Sequence, residues 1–380
     1  MLLGRSCCEH GIHQSTANPC KPQSPDTHVD SRFPFSLDHL FCGTRMTRSR
    51  QLRYLAEYAA FRAIVLVIQC LPTFATVVLA HGLAWVIVNL LPRKVSRYDI
   101  ARDNLRIAFG EHLPDSEVLR IFTAMWQHLF RMVCEMVQLP RRFELETCAE
   151  VLDFENRNAC VRALCCGRPV ICLGGHFGNW EISVNTFGKF GFPMGVVARD
   201  LDNPWLHEWF RRYRESTGHT LISKAGAGAD VSDIMHRGGM VSMLCDQDAG
   251  RTGLFVDFFG RPASTFKSIA LLALQYNALI IVGGAWRLPE SQQKGARWVR
   301  FCLTTQEIID PADYQDAQGV ERLTQRFTTA LEDLIRKAPE QYFWVHRRWK
   351  SVPGERKRRR PAKPASEPTT TPAAEPAPPG

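Results

Sequence analysis

At 380 residues, with 45% of them hydrophobic and 22% charged, the chain is long enough to bury a large core and suits one catalytic domain with appendages better than several domains. A net charge of +9 and a pI near 9.0 favour an acidic partner such as nucleic acid, anionic lipid or an acidic protein, although "ERKRRR" (355–360) supplies part of that charge. Thirteen cysteines, adjacent at Cys7/Cys8 and Cys165/Cys166 and never spaced as CxxC, exclude a disulfide framework or zinc site and fit free thiols in a reducing compartment.

In chain order, residues 1–45 are polar and without periodicity, and read as a disordered extension ahead of a more natural start at Met46, dispensable or untranslated. Residues 46–96 form a basic segment followed by "AIVLVIQCLPTFATVVLAHGLAWVIVNLL" (63–91), which no charge interrupts if His81 is neutral. As one helix this stretch measures about 43 Å against a hydrocarbon core of about 30 Å. Gln69, Pro72 and His81 make it a kinked or tilted span, or a hairpin lying in one leaflet, and membrane attachment is the expectation. Arg53 and Arg62 before it, and Arg93, Lys94 and Arg97 after it, leave its orientation open.

From residue 97 a folded domain is predicted to run to residue 352. "RYDIARDNLRIAFG" (97–110) and "DSEVLRIFTAMWQHLFRMVCEMVQL" (115–139) have helical spacing, the second with a stop at Pro140; His128 and Glu135 within it read as solvated or structural. From 151 the pattern alternates: strands over 169–173, 194–199, 220–223, 240–245, 279–286 and 298–304, helices over 180–190, 204–217, 229–237, 265–276 and 318–337. Such alternation predicts an α/β fold, a mixed sheet flanked by helices. Residues 353–380 are rich in Pro, Ala, Thr and Glu and predict a disordered tail. Its "RKRRR" (356–360) is the sole basis for a nucleic-acid reading, and beside an apolar segment it suits anionic headgroups better.

The chemistry concentrates in "VICLGGHFGNWEIS" (170–183), an apolar strand running into paired glycines, a histidine and a glutamate. Five residues apart on a helix, His176 and Glu181 would point roughly 140° away from each other. They meet if His176 lies in the loop and Glu181 in the first helical turn, with Gly174, Gly175 and Gly178 supplying the bend and Asn179 the cap. A carboxylate that orients an imidazole while its other nitrogen stays free is a general-base arrangement. A satisfied histidine in a tight turn is the plain alternative.

No GxSxG elbow, Walker loop, HExxH or Cys/His cluster occurs, and "AGAGAD" (225–230) has no third glycine of a dinucleotide loop. "NPWLHEWFRRYRESTG" (203–218) puts Arg211 and Arg214 on one helix face. "LCDQDAGRTGLFVDFFGRPAS" (244–264) ends an apolar strand in Asp246 and Asp248, which suits a cleft at the carboxyl edge of a sheet, or else plain turn chemistry. "TFKSIALLAL" (265–274) reads as a capped core helix, and "APEQYFWVHRRWK" (338–350) interleaves aromatic and basic residues, including Arg347 and Arg348. Cys172 and Cys245 sit in apolar runs as small core residues.

Taken in order, "GGHFGNWE", "NPWLHEWFRRYR", "DQDAGRTGLFVDFFGRPAST" and "PEQYFWVHRRWK" resemble the bacterial lipid A biosynthesis acyltransferases, the lauroyl/myristoyl branch of the lysophospholipid acyltransferase superfamily. One H-x4-[DE] is a weak signal; all four segments in family order are a strong one. The resemblance runs from the apolar segment to about residue 350. It implies a glycerolipid acyltransferase-like domain with an N-terminal membrane helix, His176 and Glu181 as the catalytic pair, and supporting roles for Arg214 and Asp246. Asp257 departs from the family, which usually has proline there. Arg211, Arg214, Asp246, Asp248, Arg347 and Arg348 are the expected substrate-binding set. The implied reaction moves a fatty acyl chain from an acyl carrier protein thioester, or from acyl-coenzyme A, to a hydroxyl of a lipid A precursor at the cytoplasmic side of the inner membrane. It needs no cofactor, metal or nucleic acid. A mannosylated phosphoinositide or aminolipid acceptor stays open, as does a non-catalytic lipid-binding membrane protein.

Overall fold

The computed structural model describes residues 46–293 and 295–354; the expectations for residues 1–45 and 355–380 lie outside the described residues. Pro72 divides the long apolar segment. α1 (Arg48–Cys70) ends at Leu71, whose backbone turns extended ahead of the proline, and α2 (Thr73–Asn89) begins directly after it. The proline ring disfavours helical geometry in the residue before it and starts a new helix easily. The segment 63–91, expected as a kinked or tilted membrane helix or as a hairpin, is therefore two helices. The second has 17 residues, about 26 Å of rise against a hydrocarbon core of about 30 Å. Among the described residues no helix is long and apolar enough to cross a membrane. Ala80 and Ala84 are fully buried where α2 packs on a later helix, while Ile64, Leu66, Val67, Phe74, Val78, Trp85 and Leu90 are exposed.

α3 (Arg93–Ser96) and α4 (Tyr98–Phe109) lead to α5 (Asp115–Arg142), the helix that packs against α2. α5 passes Pro140 by two residues: the missing N–H falls in the last turn, and Phe143 N–H still closes onto Leu139 O at 3.0 Å. Its Gln138 donates to Ile68 O and Leu71 O (3.0 and 2.9 Å), satisfying carbonyls freed at the α1–α2 break.

The remaining elements are α6 (Cys148–Val151), β1 (Leu152–Glu155), α7 (Arg157–Leu164), β2 (Val170–Gly174), α8 (Trp180–Lys189), β3 (Gly195–Ala198), α9 (Pro204–Glu215), β4 (Thr220–Ser223), α10 (Ala227–His236), β5 (Met240–Leu244), β6 (Leu254–Phe258), β7 (Arg261–Thr265), α11 (Ser268–Tyr276), β8 (Leu279–Arg287), β9 (Phe301–Ile309) and α12 (Gly319–Lys337). Seven strands make one sheet in the order β1-β9-β8-β2-β5-β3-β4, parallel except for the β8–β9 pair. This is the mixed sheet flanked by helices that the alternating pattern predicts. β2 at its centre is apolar throughout and almost wholly buried, as a strand covered on both faces must be. α12 lays Leu323, Phe327, Leu331 and Leu334 into the main core at helical spacing.

β1, α7 and the β6–β7 hairpin are absent from the sequence reading. β1 has four residues and is half exposed, too short for an alternation signal. The hairpin turns on Phe259 and Gly260, both at positive φ (55° and 72°), with the Phe259 ring buried in the core; its apolar residues obscure the turn.

Candidate functional site

Two adjacent parallel strands build the site. β2 and β5 pair in register with Gly174 opposite Leu244, and each chain then leaves the sheet. Two residues further on, His176 and Asp246 stand side by side at the carboxyl ends of the strands, where open α/β sheets place their ligands. His176 Nδ1 lies 2.9 Å from Asp246 Oδ1, and the His176 backbone N–H donates to Asp246 Oδ2 at 2.8 Å. The Asp246 side chain is fully buried, the imidazole 18% exposed.

The electrostatics fix the proton. Burial pushes the Asp246 carboxyl up, but attraction to His176, two hydrogen bonds from it and the nearby His346 outweigh that and hold the carboxyl at about 2. An ionised carboxylate only accepts, so Nδ1 carries the hydrogen and Nε2 is the free, basic nitrogen. Burial pulls the His176 imidazole down, and the Asp246 charge and hydrogen bond together raise it above its ordinary 6.5.

This corrects the expected pairing of His176 with Glu181. No hydrogen bond joins them among the described contacts; the carboxylate that orients the imidazole comes from Asp246, 70 residues along the chain. Glu181 is in the first turn of α8, as expected, capped by Asn179 Oδ1 accepting from Ile182 N–H at 3.1 Å. Its carboxylate faces α9 instead, bonded to Arg214 Nη2 at 2.6 Å and Nε at 3.3 Å. A residue in the loop and one in the following helical turn can share a side of the chain, but α8 points its first turn toward α9.

The other expected binding residues separate into two groups. Arg214, with Glu181, lines the site. Arg211 is engaged on α9 by Glu208 (2.7 and 2.8 Å) and Glu215. Asp248 accepts from Ser351 Oγ and N–H and from Gly250 N–H, clasping the end of the domain. Arg348 is 2% exposed and donates to Ser264 O, Gln247 O and Thr265 Oγ1 at 2.7 Å, so its charge serves the loop carbonyls. Arg347 is exposed. Basic residues that face cavities and those that bind carbonyls have the same sequence signature.

Two cavities meet beside His176. One, of about 570 Å³, is lined by His176, Trp180, Phe210, Met243, Leu244 and Phe266, with Arg199, Lys224 and Gln247 among its polar groups. The other, about 110 Å³ and mostly apolar, lies beneath α8 against the sheet, between Leu173, Phe187, Val196 and Ile281. Trp180, Arg214 and Leu244 line both. The larger volume is in the range of small-molecule sites, with apolar walls and few polar groups. Trp180 and His346 present their rings edge-on to the imidazole at 5.2 and 4.7 Å between centroids. Lys224, exposed on the loop after β4, and His207, half-buried on α9, line the larger cavity but entered no sequence expectation, because no chemical motif marks either.

Gly178 sits in the tightest part of the turn, at φ 58°, and a Cβ there would stand 2.1 Å from Ala285 O. Gly178→Ala is therefore expected to cost about 3 kcal/mol and to displace His176; denaturant unfolding and activity measured on the same preparation check it.

The fold and the site define a class first: an α/β domain whose central strands present a carboxylate-held imidazole at the mouth of an apolar cavity. Residues 45–351 match the family model for bacterial lipid A biosynthesis acyltransferases, and the chain belongs to that family. It is similar to a lipid A biosynthesis acyltransferase of Haemophilus influenzae, 25% identical over 76% of this chain and 88% of the relative. It is 29% identical to the lipid A biosynthesis lauroyltransferase of Escherichia coli over 49% of this chain and 58% of the relative. It is also 29% identical to a phosphatidylinositol mannoside acyltransferase of Mycobacterium tuberculosis, over 33% of this chain and 40% of the relative.

Proposed function

We propose that the protein transfers a fatty acyl chain from a thioester donor to a hydroxyl of a glycolipid acceptor, with His176 as general base. The observation that carries this reading is the His176–Asp246 pair opening onto an apolar cavity. A lipid hydroxyl is a poor nucleophile at neutral pH. His176 Nε2 takes its proton as the oxygen attacks the thioester carbonyl; the C–O bond forms, the C–S bond breaks, and the proton passes to the departing thiolate. Asp246 holds the tautomer and stabilises the imidazolium. Direct transfer needs no acyl-enzyme. Cys245, next to the pair, is a poor nucleophile because burial pushes its thiol up to about 12.

The cavity walls accept a hydrocarbon chain, and Arg214 and Lys224 supply positive charge for the developing oxyanion or for anionic groups of the substrates. Of the backbone donors near the imidazole, His176, Gly178 and Asn179 N–H are occupied by Asp246, Gln341 O and Ala285 O. The family favours an acyl carrier protein donor and a lipid A precursor as acceptor. The mycobacterial relative supports a second reading, a phosphoinositide mannoside acceptor.

Purified protein in anionic vesicles, given acyl carrier protein or coenzyme A thioesters with each acceptor, is expected to release free thiol and form ester. Absence of ester with every pair would end the proposal. Lipid profiling of a deletion strain identifies the natural acceptor.

The reading places the protein on the cytoplasmic face of the inner membrane, held through the exposed apolar residues of α1 and α2. Their burial in the interface contributes about 25 cal/mol per Å². Phe74→Glu with Trp85→Glu is expected to lower vesicle partitioning at least tenfold in a co-sedimentation assay, while leaving the fold intact, because both side chains are exposed (73% and 57%).

A further inference from the structure

α5 carries His128 and Glu135 two helical turns apart, so both face the same way, toward the end of β8. There Arg287 meets them. Its Nε and Nη2 donate to the Glu135 carboxylate at 2.9, 2.6 and 2.7 Å, and its Nη1 to His128 Nδ1 at 2.8 Å. His128 Nδ1 must then accept, which puts the hydrogen on Nε2, and Nε2–H donates to Gly178 O at 3.0 Å. Glu135 also accepts from Asn179 Nδ2 at 3.1 Å, and Asn179 caps α8. All four side chains are at least 93% buried.

Four more bonds complete the frame. Asn179 N–H donates to Ala285 O (2.6 Å) and Gly178 N–H to Gln341 O (2.9 Å), while the Gln341 side chain clasps the Arg287 backbone at both ends (2.8 Å each). The turn that carries His176 is thus bolted to α5 and β8 at successive residues. None of His128, Glu135 and Arg287 lines either cavity beside His176. A buried ion pair with a neutral imidazole is an expensive way to fill a core, since apolar residues would serve stability as well. What it supplies is directionality.

We propose that Glu135, Arg287 and His128 are positioning residues for acyl transfer, His128 acting as a neutral relay that sets the Gly178 carbonyl and thereby where His176 stands against Asp246 and the cavity. The inference rests on the acyl-transfer reading above.

His128→Gln keeps an N–H for Gly178 O and an acceptor for Arg287; His128→Leu removes both at similar volume. His128→Leu is expected to lower kcat about 10–100-fold with KM changed less than about threefold, and His128→Gln to restore most of kcat. A second readout does not depend on activity. Titration of His176 by NMR of histidine-labelled protein reports its distance from Asp246, with Lys224 and His346 the other titratable groups facing it. In wild type and His128→Gln the imidazole is expected to titrate above 6.5, and in His128→Leu lower. If His128→Leu does not fold, by near-ultraviolet circular dichroism, His128→Asn replaces it, an amide too short to span both partners. A folded Leu or Asn variant with wild-type kcat, or a Gln variant no better than Leu, overturns the proposal. If wild type transfers no acyl chain, the function reading fails, and the titration alone decides the network: an unshifted His176 overturns it.

Discussion

Asp246→Asn is expected to lower kcat about 10³–10⁴-fold, the scale on which an imidazole held in the wrong tautomer loses base function. The amide restores neither the charge nor a pure acceptor, so Nδ1 no longer has to carry the hydrogen. The pH profile separates this from simple misfolding. In wild type, burial lowers the His176 pKa and the charge and hydrogen bond of Asp246 outweigh it, so the acidic limb of kcat/KM lies above 6.5. Removing the carboxylate charge leaves burial and the Lys224 charge, both of which lower the imidazole, and the limb moves below 6.5. The stability linkage has a matching sign. A raised imidazole contributes stability that is fully present below about 6.5 and is lost as pH rises through the folded value. Asp246, held near 2 instead of 3.8, contributes stability above 3.8 that is lost as pH falls through 2. An acidic limb unchanged in Asp246→Asn would separate this carboxylate from the base.

His176→Ala is expected to lose about 10²–10⁴ in transfer rate while remaining folded. The imidazole is partly exposed, and its removal leaves Asp246 still bonded to the backbone N–H of residue 176. Thermal unfolding within a few degrees of wild type would accompany the loss. Near-normal transfer by the variant would remove His176 from the mechanism. The two variants together also test the pairing: if His176 and Asp246 form one unit, the double variant is no slower than the worse single one, because residues acting as a unit are grossly non-additive.

Much of this was legible beforehand. Paired glycines after an apolar strand, Asn179 as cap and Glu181 in the first helical turn all follow from local chemistry, and each is found in place. The strands of the main sheet, apart from β1 and with β9 lying at 301–309 against the expected 298–304, and the helices from α8 onward coincide with the periodic segments, because burial on a sheet or a helix stripe imposes period 2 or 3.6. His128 and Glu135 read as ordinary helix residues. Their burial becomes visible only when β8 delivers Arg287 to that face. Arg211, Arg214 and Arg348 look alike in sequence; their partners, a neighbouring turn of helix, a buried glutamate across a helix pair, and three loop groups, are what distinguish them.

By itself, then, the chain determined its class of domain, the strand-turn-helix that exposes an imidazole, and the break at Pro72. Local sterics and hydrophobic spacing act over a few residues. Which carboxylate serves that imidazole was decided by tertiary structure alone. β2 and β5 become neighbours only after β3 and β4 have been laid down beyond them, and a pairing across that distance leaves no spacing in the sequence to read.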